Sequence, residues 1–269
     1  NGEIVIGLGM TEPNAGSAVT DLTTKAVEDG EGFRVSGSKV FTSNSPDADL
    51  FLVYVRYHDG INGIGSVLMD SSMVGFSKGK PSKYTNGEEW CALYFDNVFI
   101  PKENVLLGPG GFKKQIAGFN AERIGNTARS LAVGEFAYNL AREHAITREQ
   151  FGRKICEFQG IQWKFSDMKI QIEAGRLLLY RAAINADKGF PSSKDTSIAK
   201  AFCNKAGFDI CNEAMQVMGG MGYSQESLVE YCFRKSRGWQ IAGGSTEMMK
   251  NRIAEDIFER RFSQRPIKI

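Results

Sequence analysis

Short β-rich runs alternate with turn signals from Ile4 to about Gly111. Phe33-Arg34-Val35-Ser36, Lys39-Val40-Phe41-Thr42, Leu50-Phe51-Leu52-Val53-Tyr54-Val55, Ser66-Val67-Leu68-Met69 and Leu93-Tyr94-Phe95 are punctuated by Asp29-Gly30, Ser36-Gly37, Asp59-Gly60 and Asn86-Gly87. That rhythm predicts an antiparallel β-barrel or sandwich. Pro101 and the Gly108-Pro109-Gly110-Gly111 cluster end it and set a domain boundary, dividing the chain into residues 1–110 and 111–269. Beyond the boundary the apolar period lengthens. Ile161, Phe165, Met168 and Ile172 predict a helix over about 157–188, stopped by Gly189-Phe190-Pro191. Ser192 and Ser193 can cap the next helix, in which Ile198, Phe202, Ala206 and Ile210 recur every four residues until Gly219-Gly220. A last helix is expected from near Ser245 to about Phe262. The class is α+β, with an antiparallel β-barrel or sandwich domain followed by a C-terminal four-helix bundle.

Composition narrows the partners. With 269 residues, 42% hydrophobic and 24% charged, the chain is long enough for two modest globular domains. Thirty-three basic and 31 acidic side chains leave a net charge of +2 without long runs of one sign, which points to a small molecule rather than nucleic acid. Five cysteines without paired spacing argue against a disulfide framework or zinc site, and two histidines against a histidine-rich metal site. No apolar run reaches the roughly eighteen residues of a membrane span, and the first residues carry no signal pattern. A soluble intracellular protein is expected. Asn1-Gly2-Glu3 leads straight into an apparent strand, Ile4-Val5-Ile6, which reads as the start of a fragment or a processed chain.

Where the two halves meet stands Phe119-Asn120-Ala121-Glu122-Arg123. Ile116, Phe119, Ile124, Ala128 and Leu131 mark a buried stripe on this helix, and Glu122 lies beside it. Either Glu122 is a salt-bridged or solvated surface residue, or it is a desolvated carboxylate able to take a proton from carbon. Four further stretches are equally two-sided. The polar turn Met10-Thr11-Glu12-Pro13-Asn14-Ala15-Gly16-Ser17 is an ordinary loop or a set of N–H and hydroxyl donors for a ring edge or pyrophosphate. Arg148-Glu149-Gln150-Phe151-Gly152, with Phe158-Gln159 after it, is a helix stop or a phosphate and ring contact. Gln216-Val217-Met218-Gly219-Gly220-Met221-Gly222-Tyr223 is a C-cap and turn or a close approach to a ligand. Ala242-Gly243-Gly244-Ser245-Thr246-Glu247 is a helix start or an anion site.

As an ordered set, these residues resemble the acyl-CoA dehydrogenase family, which carries FAD and oxidises acyl-CoA thioesters. The resemblance covers essentially the whole chain as that family's middle β domain and C-terminal helical domain; the N-terminal helical domain that members place ahead of them has no counterpart in this sequence. It implies that Met10 and Thr11 contact the flavin pyrimidine, Ser17 the pyrophosphate, and Phe41 and Ser43 the region beside flavin N5. Arg148, Gln150, Phe151 and Gln159 resemble the segment that reaches a neighbouring subunit's FAD, with Gln216 and Gly220 as further contacts to it. Ser245 and Glu247 take the places of a Thr and a Gln that bind FAD.

A departure falls at the base. Many members carry Tyr-Glu-Gly-Thr where this chain has Ala242-Gly243-Gly244-Ser245, and Gly243 has no carboxylate. A minority class resembling the isovaleryl-CoA, long-chain acyl-CoA and crotonobetainyl-CoA enzymes places the base ahead of an Arg on the helix that opens the C-terminal domain. Here that pair is Glu122 and Arg123, the latter expected on the substrate side. The resemblance therefore implies α-proton removal by Glu122 with β-hydride transfer to FAD, the Gly243 N–H holding the thioester oxygen. It also implies a homo-oligomer, dimer or tetramer, sharing FAD sites, an electron-transfer flavoprotein as partner, and a cytoplasmic location or the mitochondrial matrix in a eukaryote. The alternatives are an enoyl-CoA reductase of the crotonobetainyl-CoA kind on the same scaffold, and a catalytically silent binding or assembly protein.

Overall fold

The computed structural model describes residues 2–184 and 189–265. Two compact units emerge, Asn1–Ile116 and Ala117–Ile269.

The first unit is a mixed sheet of nine strands. They are β1 (Ile6–Gly9), β2 (Lys25–Asp29), β3 (Gly32–Ser43), β4 (Leu50–Arg56), β5 (Ile64–Asp70), β6 (Phe76–Lys78), β7 (Ser82–Lys83), β8 (Glu89–Pro101) and β9 (Val105–Leu107). The main path runs β6-β8-β3-β2-β4-β5-β9, with β1 paired to β4 and β7 to β8. Most neighbours are antiparallel, as the turn signals require, and β4 pairs β5 from Leu50 opposite Asp70 to Arg56 opposite Ile64. The all-antiparallel expectation needs one correction: β1 runs parallel to β4, and β2 meets β4 in parallel at Lys25 and Arg56. A parallel neighbour needs a long crossover, which β2 and β3 supply, and a short-range turn pattern cannot announce it. No barrel closes among the described residues.

Alternation places the core. Phe51, Val53 and Val55 of β4 meet Val67 and Met69 of β5, Val35 of β3, and Leu93, Phe95, Val98 and Ile100 of β8 in one cluster. Each such side chain contributes about 1.5–3 kcal/mol on burial.

The second unit is helical. Its elements are α1 (Phe112–Thr147, its first residues belonging to the first unit), α2 (Gln159–Ala183), α3 (Ser193–Met218), the single turn α4 (Gly220–Tyr223), α5 (Leu228–Trp239) and α6 (Thr246–Ile257). A small hairpin of β10 (Glu149–Gln150) and β11 (Arg153–Lys154) follows α1. The expected four helices are thus five of 12 residues or more among the described residues. The extra one, α5, is capped by the Ser227 hydroxyl on the Val229 N–H and buries Val229, Cys232 and Ser236 at helical spacing. The last helix stops at Ile257, short of Phe262, and the expected end of the second helix at Lys188 lies outside the described residues. Ser192 caps α3 as its position suggested, accepting from the Asp195 N–H.

On α2, Met168 and Ile172 are buried against Ala206 and Ile210 of α3, as their spacing predicts. On α3 the four-residue step drifts off the buried face, and Phe202 is exposed. The buried line is instead Thr196, Lys200, Cys203, Gly207, Ile210, Ala214 and Val217, alternating steps of four and three. Gly207 lets α3 approach α1 closely: a Cβ there would stand 2.5 Å from the Ser130 carbonyl oxygen. Of the apolar stripe expected on α1, Leu131 is buried while Ile116, Phe119, Ile124 and Ala128 are half-buried, and the buried residues between Phe112 and that crossing are polar: Asn120, Asn126, Thr127 and Ser130. No helix among the described residues is long and apolar enough to cross a membrane.

Candidate active site

In the first unit, the loop after β1 is tied down by a buried ion pair. Lys39 is fully buried and Glu12 is 4% exposed. The Glu12 carboxylate accepts from the Lys39 ammonium at 2.7 Å, from the Thr23 N–H and hydroxyl at 2.6 and 2.7 Å, and from the Thr24 N–H and hydroxyl at 3.0 and 2.6 Å. Desolvation raises the carboxyl, but the adjacent Lys39 charge and these donors more than reverse it and hold Glu12 at about 2. Burial brings Lys39 down to about 8 against the pull of Glu12, so the pair is ionic at neutral pH. Lys39 also donates to the Met10 carbonyl at 3.4 Å, and the Val40 N–H to that of Thr11 at 2.9 Å. The backbone of the loop is thereby fixed to β3.

Two residues further along β3, the strand bulges between Lys39 and Thr42, and Phe41 takes a left-handed backbone with φ of 57°. Such a conformation is costly for a bulky residue, and here it turns the ring outward, 56% exposed. Trp90 packs against it with ring centroids 4.6 Å apart, and Tyr84, which bonds Ser43, stacks on Trp90. Met10, Thr11, Phe41 and Ser43 are thus gathered at one end of β3. An exposed aromatic shelf beside a rigid loop of polar groups fits a planar ring system such as a flavin. Ser17 is exposed further along the loop.

The second unit brings Glu122, Arg123 and Gly243 together. Gly243 and Gly244 have φ of 68° and 95°, making the turn between α5 and α6. The Arg123 guanidinium donates through Nε to the Gly243 carbonyl at 2.9 Å and through Nη1 to the Asn120 side chain at 3.1 Å. A Cβ built on Gly243 would lie 3.1 Å from Oε2 of Glu122, 3.9 Å from Nδ2 of Asn126 and 3.9 Å from Cε of Lys200. The Glu122 carboxylate therefore fills the space that a side chain at position 243 would enter. Glu122 itself is exposed, so the dry pocket expected around it is not supplied by the helices beside it. The carboxylate accepts no hydrogen bond from the described residues, and the Gly243 N–H donates to none.

Behind the turn stands Lys200, which sequence reasoning missed. Its ammonium donates to the Trp239 carbonyl at 2.8 Å and the Ala242 carbonyl at 2.9 Å. Asn204, one turn along α3, donates to the same Trp239 carbonyl at 2.7 Å and to Asn126 at 3.1 Å. Burial pushes Lys200 down to about 8, with Glu122 opposing the shift and Arg123 adding to it. The available signal was a lysine in register with the apolar line of α3.

The remaining candidates share no described contact with this group. Arg148 lies outside α1, and Gln150 and Phe151 form the β10–β11 hairpin, a two-strand ribbon where a helix stop was the plain alternative. Phe151 has φ of 53° and is 94% exposed, while Arg153 stacks on Phe158 just ahead of the exposed Gln159. Gln216 and Gly220 flank the break between α3 and α4 and are exposed. The Ser245 hydroxyl caps α6 through the Met248 N–H, and Glu247 is exposed in its first turn, its carboxyl lowered by its own backbone N–H and by Ser245. No cluster of His, Cys, Asp or Glu among the described residues is arranged to hold a metal.

Comparison with known proteins gives the arrangement a context. Residues 7–98 match the family model of the acyl-CoA dehydrogenase middle domain, and residues 109–258 that of the C-terminal domain. The chain is 33% identical over 262 residues to a short-chain-specific acyl-CoA dehydrogenase of Clostridium acetobutylicum, covering 96% of this chain and 69% of that protein. It is 32% identical to a 3-sulfinopropanoyl-CoA desulfinase of Paraburkholderia xenovorans, covering 95% and 68%. The solved butyryl-CoA dehydrogenase of Megasphaera elsdenii superposes with a TM-score of 0.89 at 33% identity, over 95% of this chain and 68% of that one. The chain thus spans about two thirds of the length of these relatives. It belongs to the acyl-CoA dehydrogenase family of flavoprotein oxidoreductases.

Proposed function

We propose that this chain catalyses α,β-dehydrogenation of an acyl-CoA thioester, with Glu122 as the base that takes the α-proton. One observation carries the reading: the Glu122 carboxylate stands beside the Gly243 turn, 3.1 Å from where a side chain at 243 would begin. A thioester α-proton is weakly acidic, so a base needs a donor that takes up the charge growing on the carbonyl oxygen. The Gly243 N–H is such a donor. Arg123 fixes the turn through the Gly243 carbonyl and Lys200 through the Ala242 carbonyl, so donor and base keep their spacing as charge moves. Arg123 acts on the substrate side through the turn it braces. A relative named a desulfinase stands at similar identity, so identity alone does not choose the reaction; the Glu122 carboxylate beside the Gly243 turn supports dehydrogenation.

FAD, when bound, supplies the acceptor for the β-hydride. In this reading Met10, Thr11, Phe41 and Ser43 hold its ring system and Ser17 its pyrophosphate, while Ser245 and Glu247 bind it at the start of α6. Arg148, Gln150, Phe151, Gln159, Gln216 and Gly220 serve the FAD of a second copy, which makes the working form a homo-oligomer. The exposed Phe151 ring on its tight hairpin supports that part. An electron-transfer flavoprotein is the proposed electron partner, and the cytoplasm, or the mitochondrial matrix in a eukaryote, the proposed location.

The test is optical. Protein purified with FAD is yellow, and anaerobic addition of an acyl-CoA bleaches the flavin band. Glu122→Gln keeps the band and slows bleaching on the order of 10²–10⁴-fold. Bleaching at the unaltered rate removes Glu122 as base, and a colourless protein that binds neither FAD nor CoA leaves the silent assembly reading. Screening acyl-CoA and enoyl-CoA thioesters for bleaching and reoxidation gives the acyl group and the direction.

A further inference from the structure

The cation behind the Gly243 turn is buried more deeply than bracing one carbonyl requires. Lys200 is 1% exposed on α3. A buried ammonium demands compensation, which a neutral side chain at that point in the apolar line would not need. What surrounds it is specific. Two of its hydrogens go to the Trp239 and Ala242 carbonyls, which bracket the end of α5 and lead directly into Gly243. Among the described residues, the charged groups acting on it both come from α1, Glu122 and Arg123; α5 and the turn offer carbonyl oxygens, and Asn204 of its own helix donates to one of them. Lys200 and Glu122 flank one point, the space beside the α-carbon of Gly243.

We propose that Lys200 is a positioning residue for the Glu122 base: its buried ammonium pins the turn that carries the Gly243 N–H and places a fixed positive charge beside the Glu122 carboxylate. The inference rests on the assignment of Glu122 as base. One side chain serves both partners in the α-proton transfer. Through two carbonyls it holds the turn whose next peptide carries the Gly243 N–H, and its side chain borders the same space beside Gly243 that the Glu122 carboxylate borders. Asn204 doubles the grip on the Trp239 carbonyl, so the turn is held from α3 by two adjacent helical positions. Arg123 cannot replace Lys200, because it holds the Gly243 carbonyl in the next peptide plane, whereas the Ala242 carbonyl held by Lys200 shares its plane with the Gly243 N–H.

Charge loss from Lys200 has a predictable sign. Its ammonium titrates near 8, lowered first by burial, so the positive charge is complete below that pH and disappears as pH rises through it. A guanidinium stays charged throughout this range.

The experiment uses the FAD-loaded protein and two variants at one site, with Glu122→Gln as reference. In protein carrying 13C-labelled lysine, Lys200 is identified by the signal lost in Lys200→Arg. Its titration moves to lower pH in Glu122→Gln, because the carboxylate that favours the ammonium is gone; an unmoved titration overturns the coupling. For acyl-CoA bleaching, Lys200→Met is slowed on the order of 10²-fold, the size expected when reacting groups are misplaced by about an ångström. Lys200→Arg recovers most of the rate and does not show the decline that the unaltered protein shows above pH 8. Lys200→Met bleaching at the full rate, or Lys200→Arg declining with the same alkaline profile as Lys200, overturns the inference. The two readings fail separately. A fully active Glu122→Gln removes the base, whereas an inactive Glu122→Gln beside a fully active Lys200→Met removes only Lys200. Should Lys200→Met not fold, the lysine titration and the Lys200→Arg profile still decide.

Discussion

Each unit holds one glutamate beside one buried lysine, and the two pairs are built in opposite ways. In the sheet unit, Glu12 is buried and receives five hydrogen bonds from Lys39, Thr23 and Thr24. In the helical unit, Lys200 is the buried member and spends its hydrogens on backbone carbonyls, while Glu122 is exposed and accepts none from the described residues. A carboxylate saturated with donors is a poor base, because every bond to the charged form would have to weaken before it took a proton. One whose lysine faces elsewhere keeps its lone pairs for a substrate. The first pair organises a loop; the second leaves a carboxylate ready to react.

Swapping charge for amide at each glutamate tests that contrast most strongly. Glu122→Gln removes activity as stated above and leaves the urea midpoint nearly unchanged. Glu12→Gln does the reverse. It strands the Lys39 ammonium in the interior, at a cost of about 3–5 kcal/mol for breaking a buried pair, measured as a lower urea midpoint of the sheet unit. The pH dependence follows with a definite sign. Glu12 is held at about 2 in the fold against an ordinary value of 4.5, so its stabilisation is complete above about 4.5 and is lost as pH falls towards 2. Urea midpoints between pH 2 and 6 should slope downward with acid in the unaltered protein and flatten in Glu12→Gln.

Smaller effects probe the frame that holds Glu122 and Lys200 in register. Gly207→Ala forces a Cβ to 2.5 Å from the Ser130 carbonyl oxygen and pushes α3 off α1. The expected cost is about 1–3 kcal/mol by urea unfolding, with slower bleaching because Lys200 and Glu122 ride on those two helices. Ser245→Ala removes the cap of α6 and costs about 1 kcal/mol. Thermal unfolding reads it as a small fall in midpoint, and weaker retention of FAD checks the cofactor contact proposed for Ser245.

Local rules in the sequence reach some of this and stop short of the rest. Asp29-Gly30 turned out to join β2 and β3, and Met168 and Ile172 are buried as their spacing requires, because turn chemistry and helical period act within a few residues. The parallel β1–β4 pairing joins residues more than forty positions apart, and nothing local encodes it. α5 was overlooked because Arg234, Lys235, Arg237 and Gly238 dilute its apolar pattern. Phe41 reads as one more apolar residue in a strand until the bulge after Lys39 turns it outward. At the candidate site, the sequence offered Glu122 as a carboxylate before an Arg, and Gly243 as a glycine where the family resemblance leads one to expect a glutamate. Lys39 and Lys200 were not. Each is a charge on a buried line, and its justification is a partner far along the chain, Glu12 in one case and the Trp239–Ala242 carbonyls in the other.

The bare α-carbon of Gly243 also limits how this protein could change. The Glu122 carboxylate stands 3.1 Å from where a substituent at 243 would begin, so a side chain there would crowd it. Acidic residues at both would set like charges in contact and drive one of them to hold its proton; acidic residues at neither would leave the turn without a proton acceptor. With Glu122 as the proposed base, moving the carboxylate from helix to turn takes a coordinated pair of substitutions.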